Sequence, residues 1–138
     1  PPPTLAVMSE IASRALSPAT NDPGTAIDVI GRTTRLLCLW AQGSEPQLQG
    51  EAQFPRVHVP ALRAADLLED AFLLMARDGA ALIEVQLRIQ KSLRALSRMG
   101  NKEFRAAARA QSRLAFNRAQ SALAFEGDLE RLREAVVE

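Results

Sequence analysis

Apolar side chains recur at intervals of three and four residues along most of this chain, and this spacing constrains the fold most strongly. The first such segment carries them at Leu5, Met8, Ile11, Ala12 and Ala15. This spacing places them on one side of an α-helix. Aromatic residues make up only 4% of the chain and Tyr is absent, so Ala and Leu must fill the core. We therefore predict an all-α fold, a compact bundle of five or six helices with short connections.

Capping and helix-breaking residues set the predicted helix limits. Long helices are predicted over 4–16, 23–42, 60–77, 79–99 and 101–125, with a short helix at the C-terminal end. Gly100 is predicted at the C′ position of the fourth helix, and a break at Gly127 is predicted to leave Asp128 as the N-cap of the last. One long loop, about 43–59, interrupts the pattern. Its segment "RVHV" alternates, which leaves a short strand or hairpin open.

Length and composition limit the number of domains and the kinds of site that this chain can form. A chain of 138 residues predicts a single helical domain spanning 1–138. Cys38 is the only cysteine and His58 the only histidine, which excludes an internal disulfide and Cys-rich or His-rich metal sites. In "TRLLCLW", Cys38 is interpreted as a small buried hydrophobic residue. No metal and no cofactor is expected.

No group of residues forms a recognisable catalytic arrangement. Ser17, Ser44 and His58 do not match a nucleophilic motif. Glu69, Asp70 and Glu84 lack the His partners at i, i+3 that a di-metal site in a helical bundle requires. We therefore predict no catalytic residues and expect that the chain is not an enzyme.

Basic residues concentrate in the second half of the chain, and a possible anion-binding surface follows from them. Its residues are Arg98, Lys102, Arg105, Arg109 and Arg113. The last four fall within about 80° on a helical wheel, and Arg94 and Arg98 extend a similar pattern on the fourth helix. Such a face can attract anionic headgroups.

The alternative for this basic face is a solvated surface whose arginines pair with acidic residues of the third helix, at Asp66, Glu69 and Asp70. Nucleic acid is not expected, because the isoelectric point is near 8.6 and no helix-turn-helix or RNA-binding signature is present.

The segment "RALSPATNDPGTAIDVIG", residues 14–31, is the densest local signal. Pro18 is predicted to stop the first helix, and Asp22 with Pro23 to start the second as N-cap and first helical residue. An anion on the free N–H groups of the second helix, with Thr20, Thr25 and Arg14, is the alternative. We also hypothesise that Arg14 and Asn21 hydrogen-bond across the turn.

This segment resembles the recurring motif of domain of unknown function (DUF) family 2254, predicted bacterial membrane proteins. The matching positions are Ile11, Ala12, Arg14, Ala15, Leu16, Ser17, Pro18, Asn21, Asp22, Pro23, Thr25 and Ala26. The resemblance covers about the first 40 residues and carries over Arg14, Ser17, Pro18, Asn21, Asp22, Pro23 and Thr25 as motif members, for which we expect a structural role. It implies the soluble C-terminal domain of a bacterial inner-membrane protein, attached to the membrane by a missing N-terminal part and facing the cytoplasm.

The chain opens on three prolines without an initiating Met, which we interpret as the start of an excised piece. The expected function is a non-catalytic assembly or regulatory module that forms a homo-oligomer. The alternative is a module that binds an anionic ligand or lipid headgroup on the basic face of the fourth and fifth helices. The residues do not identify a small-molecule ligand.

Overall fold

A computed structural model describes residues 3–43 and 62–137 of the chain. The helices in this part are α1 (Pro3–Ala15), α2 (Pro23–Gly43), α3 (Ala64–Asp78), α4 (Ile83–Leu96), α5 (Lys102–Gln120) and α6 (Glu126–Ala135). The described residues contain six helices and no strand, which confirms the all-α prediction. The hairpin considered within 43–59 lies outside the described residues, as does His58.

The first five helices pack side by side around a common core. Neighbours follow the order α1, α2, α4, α5, α3 and back to α1, and α6 lies against α4 and α5. Large side chains that are fully buried at the centre include Phe72, Phe104, Ile30, Leu68 and Met75. Alanines such as Ala12, Ala71 and Ala108 are also fully buried. Small side chains at the contacts allow close packing of helices. Their burial agrees with the prediction, from the low aromatic content, that Ala and Leu fill the core.

The third and fourth helices are shorter than predicted. The third begins at Ala64, because Arg63 has extended backbone angles (φ −82°, ψ 135°). The fourth begins at Ile83, because Gly79–Leu82 form a turn in which Leu82 N–H donates to the Gly79 carbonyl at 3.0 Å. It ends at Leu96, so Gly100 lies four residues further on in the left-handed region (φ 68°) and not at C′.

The end of the fifth helix is also corrected. The helix begins after Asn101, whose side chain accepts a hydrogen bond from Phe104 N–H, but it ends at Gln120 and not at 125. Leu123 turns inward and packs with Ala119 and Leu132 in a second small core. The predicted break at Gly127 and cap at Asp128 are wrong, because both residues lie in the first turn of α6.

The buried faces of α4 and α1 differ from the predicted ones. Gln86 and Gln90 of α4 are fully buried. Gln86 Nε2 donates to the carbonyls of Ala76 and Gly79 at 3.2 and 3.0 Å, which ties α4 to the end of α3. On α1, Ile11 was expected in the core but is 48% exposed. The hydrogen bonds of Gln86 replace those that its amide nitrogen loses to water, whereas its Oε1 is buried without a partner in the described residues.

Candidate functional site

The turn between α1 and α2 is built by backbone hydrogen bonds across the motif. Asn21 N–H donates to the Ser17 carbonyl and Asp22 N–H to the Ala15 carbonyl, each at 2.8 Å. Asn21 has φ 46°, a left-handed conformation that Asn adopts more readily than most residues. The backbone of Asn21 therefore reverses the chain after Pro18 has ended α1.

Asp22 caps α2, as the sequence predicts. Its carboxylate accepts Thr25 N–H at 3.0 Å and the Thr25 hydroxyl at 2.5 Å. These two hydrogen bonds hold the pKa of the Asp22 carboxyl below its ordinary value, and the bond from the Thr25 hydroxyl has the larger effect. The first free N–H groups of α2 thus have a carboxylate beside them, which disfavours an external anion at this helix end.

The hypothesis that Arg14 and Asn21 hydrogen-bond across the turn is wrong. Both side chains are exposed, and within the described residues neither makes a side-chain hydrogen bond or ion pair. Only the backbone of Asn21 is needed for the reversal. Arg14 instead lies beside Thr20 and Asp22 on the wall of a surface cleft.

This cleft, which we call the motif cleft, has a volume of about 480 Å³. It is lined by Val7, Glu10, Ile11, Arg14, Ala15, Thr20, Asp22 and Thr25. The motif residues form its polar end and α1 its apolar side, where Val7 is 52% and Ile11 48% exposed. The motif therefore shapes a surface of mixed character in addition to forming the joint between two helices.

A second depression lies at the other end of these two helices. It is smaller, about 210 Å³, and its walls come from the start of α1, the end of α2 and Leu67. Leu36 lines it and is 39% exposed, while Leu39, one turn further along α2, is 60% exposed. We refer to Val7, Ile11, Leu36 and Leu39 as the α1–α2 face.

In the described part of the chain, one of the predicted anion-binding residues has a structural contact, and the other four do not. Arg105 is half-buried and donates to the Gly100 carbonyl, so it serves the turn before α5. Within residues 3–43 and 62–137, Arg98, Lys102, Arg109 and Arg113 make no side-chain hydrogen bond or ion pair. The pairing with Asp66, Glu69 and Asp70 that the alternative required is absent from the same part of the chain. Arg94 donates to the Glu134 carbonyl at 2.9 Å.

Sequence reasoning missed a second set of basic residues, which the fold brings together between α2 and α4. Gly24, Ile27, Asp28, Gly31, Arg32, Arg35 and Arg88 line a cleft of about 660 Å³, here called the arginine cleft. The sequence feature that could have indicated this cleft is Gly31, because a glycine inside a helical pattern often has a packing or functional reason. Arg88 could not have been assigned to it, since it comes from a different helix.

Cys38 and the acidic residues do not add a reactive centre to these clefts. Cys38 is half-buried, and burial raises the pKa of its thiol, which favours the protonated, less reactive form. Among the residues described, no three His, Cys, Asp or Glu side chains are grouped so that they could hold a metal ion. No helix in the described ranges combines the length and apolar character needed to cross a membrane.

One comparison with known proteins finds a match. The sequence model of the family described as "Predicted membrane protein (DUF2254)" matches residues 3–95. The match thus extends beyond the motif and includes α1 to α3 and nearly all of α4. No curated protein and no solved structure matches the chain.

Proposed function

Because the chain belongs to the DUF2254 family of predicted membrane proteins, we propose that its helices form a non-catalytic assembly module of such a protein. Two copies associate through the α1–α2 face. The observation that supports this is the exposure of large apolar side chains on both helices, at Val7, Ile11, Leu36 and Leu39. Val7 and Ile11 are one turn apart on α1, as are Leu36 and Leu39 on α2, and neighbouring exposed apolar side chains favour a protein interface over a solvated surface.

Charges on α1 favour a second copy as the partner. Glu10 and Arg14 flank Ile11, are exposed, and have no ion-pair partner within the described part of the chain. In a two-fold interface the same surface faces itself in the opposite direction. An antiparallel pairing of two α1 helices about their common face brings Arg14 of one copy opposite Glu10 of the other.

A non-catalytic role is supported by the chemistry of the motif cleft. The carboxylate of Asp22 is bonded to Thr25, and its lowered pKa makes it a weak base. Of the two hydroxyls that line the cleft, Thr25 donates to this weakly basic carboxylate, and Thr20 is hydrogen-bonded in the described residues only to the Ser17 hydroxyl, so neither has a strong base beside it. These residues suit recognition better than proton transfer. We also propose, from the family resemblance, that the module lies on the cytoplasmic side of a bacterial inner membrane.

Light scattering after size-exclusion chromatography, at several protein concentrations, tests the association. The natural chain is expected to form a dimer and Ile11→Lys a monomer. Leu114→Lys is the matched control, because Leu114 on α5 is 50% exposed and Ile11 is 48% exposed. A natural chain that stays monomeric at high micromolar concentration, or equal loss of the dimer in both variants, would refute the proposal.

A charge exchange tests the orientation of the two copies. Glu10→Arg alone places like charges opposite each other and is expected to weaken the dimer. Glu10→Arg combined with Arg14→Glu restores opposite charges and is expected to restore it. If the double variant is as weak as the single one, α1 does not pair in this direction.

A second candidate function is the binding of anionic headgroups by the basic face of α4 and α5. The observation in its favour is that Arg98, Lys102, Arg109 and Arg113 have no side-chain partners in the described ranges. Sedimentation with vesicles of phosphatidylcholine, with and without phosphatidylglycerol, tests it. Substitution of Lys102, Arg109 and Arg113 by Ala, which leaves the turn contact of Arg105 intact, is expected to abolish binding to the anionic vesicles, and unchanged binding would refute this candidate.

A further inference from the structure

The arginine cleft brings together charges from two helices that are distant in sequence. Arg32 and Arg35 come from α2, and Arg88 comes from α4, which packs against it. Arg32 Nε lies 2.8 Å from Asp28 Oδ2, so one positive charge is matched on the same helix. Within the described residues, Arg35 and Arg88 have no carboxylate within ion-pair distance. The cleft therefore holds more positive than negative charge.

Arg88 is seated directly on the backbone of α2. A Cβ added to Gly31 would lie 2.8 Å from Arg88 Nη2, closer than real Cβ contacts occur. The glycine thus leaves the space that the guanidinium group occupies. Packing against the helix backbone limits the positions open to this flexible side chain, which lowers the entropy cost of binding.

The Nε of Arg88 is a buried donor without an acceptor in the described residues. Buried N–H groups of proteins are nearly always hydrogen-bonded, and an unpaired one is costly. The guanidinium group presents its donors in a planar fork that matches two oxygens of a phosphate. The Nη donors of the same guanidinium also have no acceptor in the described residues but are not buried, so an oxyanion in the cleft would pair with them and balance the charge.

We infer that the arginine cleft binds a phosphate-bearing anion through Arg88 and Arg35, with Gly31 leaving the space that the guanidinium of Arg88 occupies. This site is separate from the α1–α2 face and from the basic face of α5, so it does not depend on either. Both contributing helices lie almost wholly within residues 3–95, the part that the family model matches. The phosphate can belong to a soluble molecule or to a lipid headgroup.

Calorimetric titration with inorganic phosphate and with pyrophosphate tests the soluble source. Sedimentation with phosphatidylcholine vesicles, with and without phosphatidylglycerol, tests the headgroup. Binding of either probe that Arg88→Gln weakens about tenfold or more supports the site, since this is the effect of losing a charge-assisted hydrogen bond. Lys91→Gln removes an equal charge from an exposed position on the same helix and is expected to bind as the natural chain does.

Gly31→Ala tests the geometry without removing charge. Its Cβ displaces only the far end of the Arg88 side chain, and Ala favours a helix over Gly, so the protein is expected to fold with an unchanged or higher unfolding midpoint but to bind the same probe more weakly. If Gly31→Ala binds the probe as tightly as the natural chain does, the proposed role of the Arg88–Gly31 contact is refuted. Absence of binding to every probe, or equal loss in Arg88→Gln and Lys91→Gln, would overturn the inference.

Discussion

Ser112 and Gln90 form a buried hydrogen-bonded pair between α5 and α4, and replacing Ser112 by Ala is expected to destabilise the fold. The Ser112 hydroxyl donates to Gln90 Oε1 at 2.5 Å, and Gln90 Nε2 donates to the Ser112 carbonyl at 2.9 Å. Val137 N–H also donates to the hydroxyl oxygen, at 3.1 Å. Both side chains are fully buried.

The expected magnitude follows from what the substitution leaves behind. Ser112→Ala strands Gln90 Oε1 in the core without a donor, which costs about 1–3 kcal/mol of the free energy of unfolding. The N–H of Val137 is near the C-terminal end and half-buried, so water can replace part of its lost bond. In a domain of this size each kcal/mol lowers the melting temperature by roughly 3–5 °C.

Urea denaturation followed by circular dichroism measures this loss, and Ser9→Ala is the matched control. Ser9 is buried, but its hydroxyl has no hydrogen-bond partner, so its removal is expected to be neutral or stabilising. Gln90→Leu combined with Ser112→Ala removes both polar side chains, and we expect it to be less destabilised than the sum of the single variants. Equal stability of Ser112→Ala and Ser9→Ala would refute the reasoning.

Three further predictions concern the turns. Gly79→Ala should lower the free energy of unfolding in urea by about 1–3 kcal/mol, because its Cβ would lie 2.6 Å from Val85 Cγ1; Gly43→Ala, whose Cβ meets nothing within 4 Å, should not. Asn21→Val should lose about 1–2 kcal/mol in thermal unfolding at its φ of 46°, and equal stability of Asn21→Gly and Asn21→Val would contradict this. The pKa of Asp22 is lowered below 3.8 in the folded state, so its contribution is present above that pH and lost as the pH falls through the lowered value. The stability of the natural chain should therefore fall more steeply between about pH 5 and pH 2 than that of Asp22→Asn, and parallel curves would exclude this role.

The joint between α1 and α2 was predictable because its chemistry is local. Pro18 cannot continue a helix, and Asp22 reaches an N–H only three residues away. The role of Arg14 was predicted wrongly for the opposite reason. Whether its side chain turns toward Asn21 or toward the cleft depends on the side of α1 that packs against α2 and α3, and sequence spacing alone did not decide this.

The candidate sites were also predictable only where their residues lie close together in the sequence. The apolar spacing predicted α1 as an amphipathic helix but placed Ile11 in the core, where the structure leaves it 48% exposed on the α1–α2 face. The basic face of α5 could be predicted from the sequence because its residues share one helix. The arginine cleft could not, because Arg88 meets Gly31, 57 positions earlier in the sequence, only after α2 and α4 pack together.

The sequence by itself determined the helical class, the reversal at the motif and the cap at Asp22. Periodicity, proline and capping residues act through hydrogen bonds and contacts within a few positions along the chain. Only the tertiary structure decided which apolar residues stay exposed, why Gln86 and Gln90 can be buried, and which arginines meet. Those outcomes depend on contacts between helices, and the partner of each side chain is set by how the helices pack.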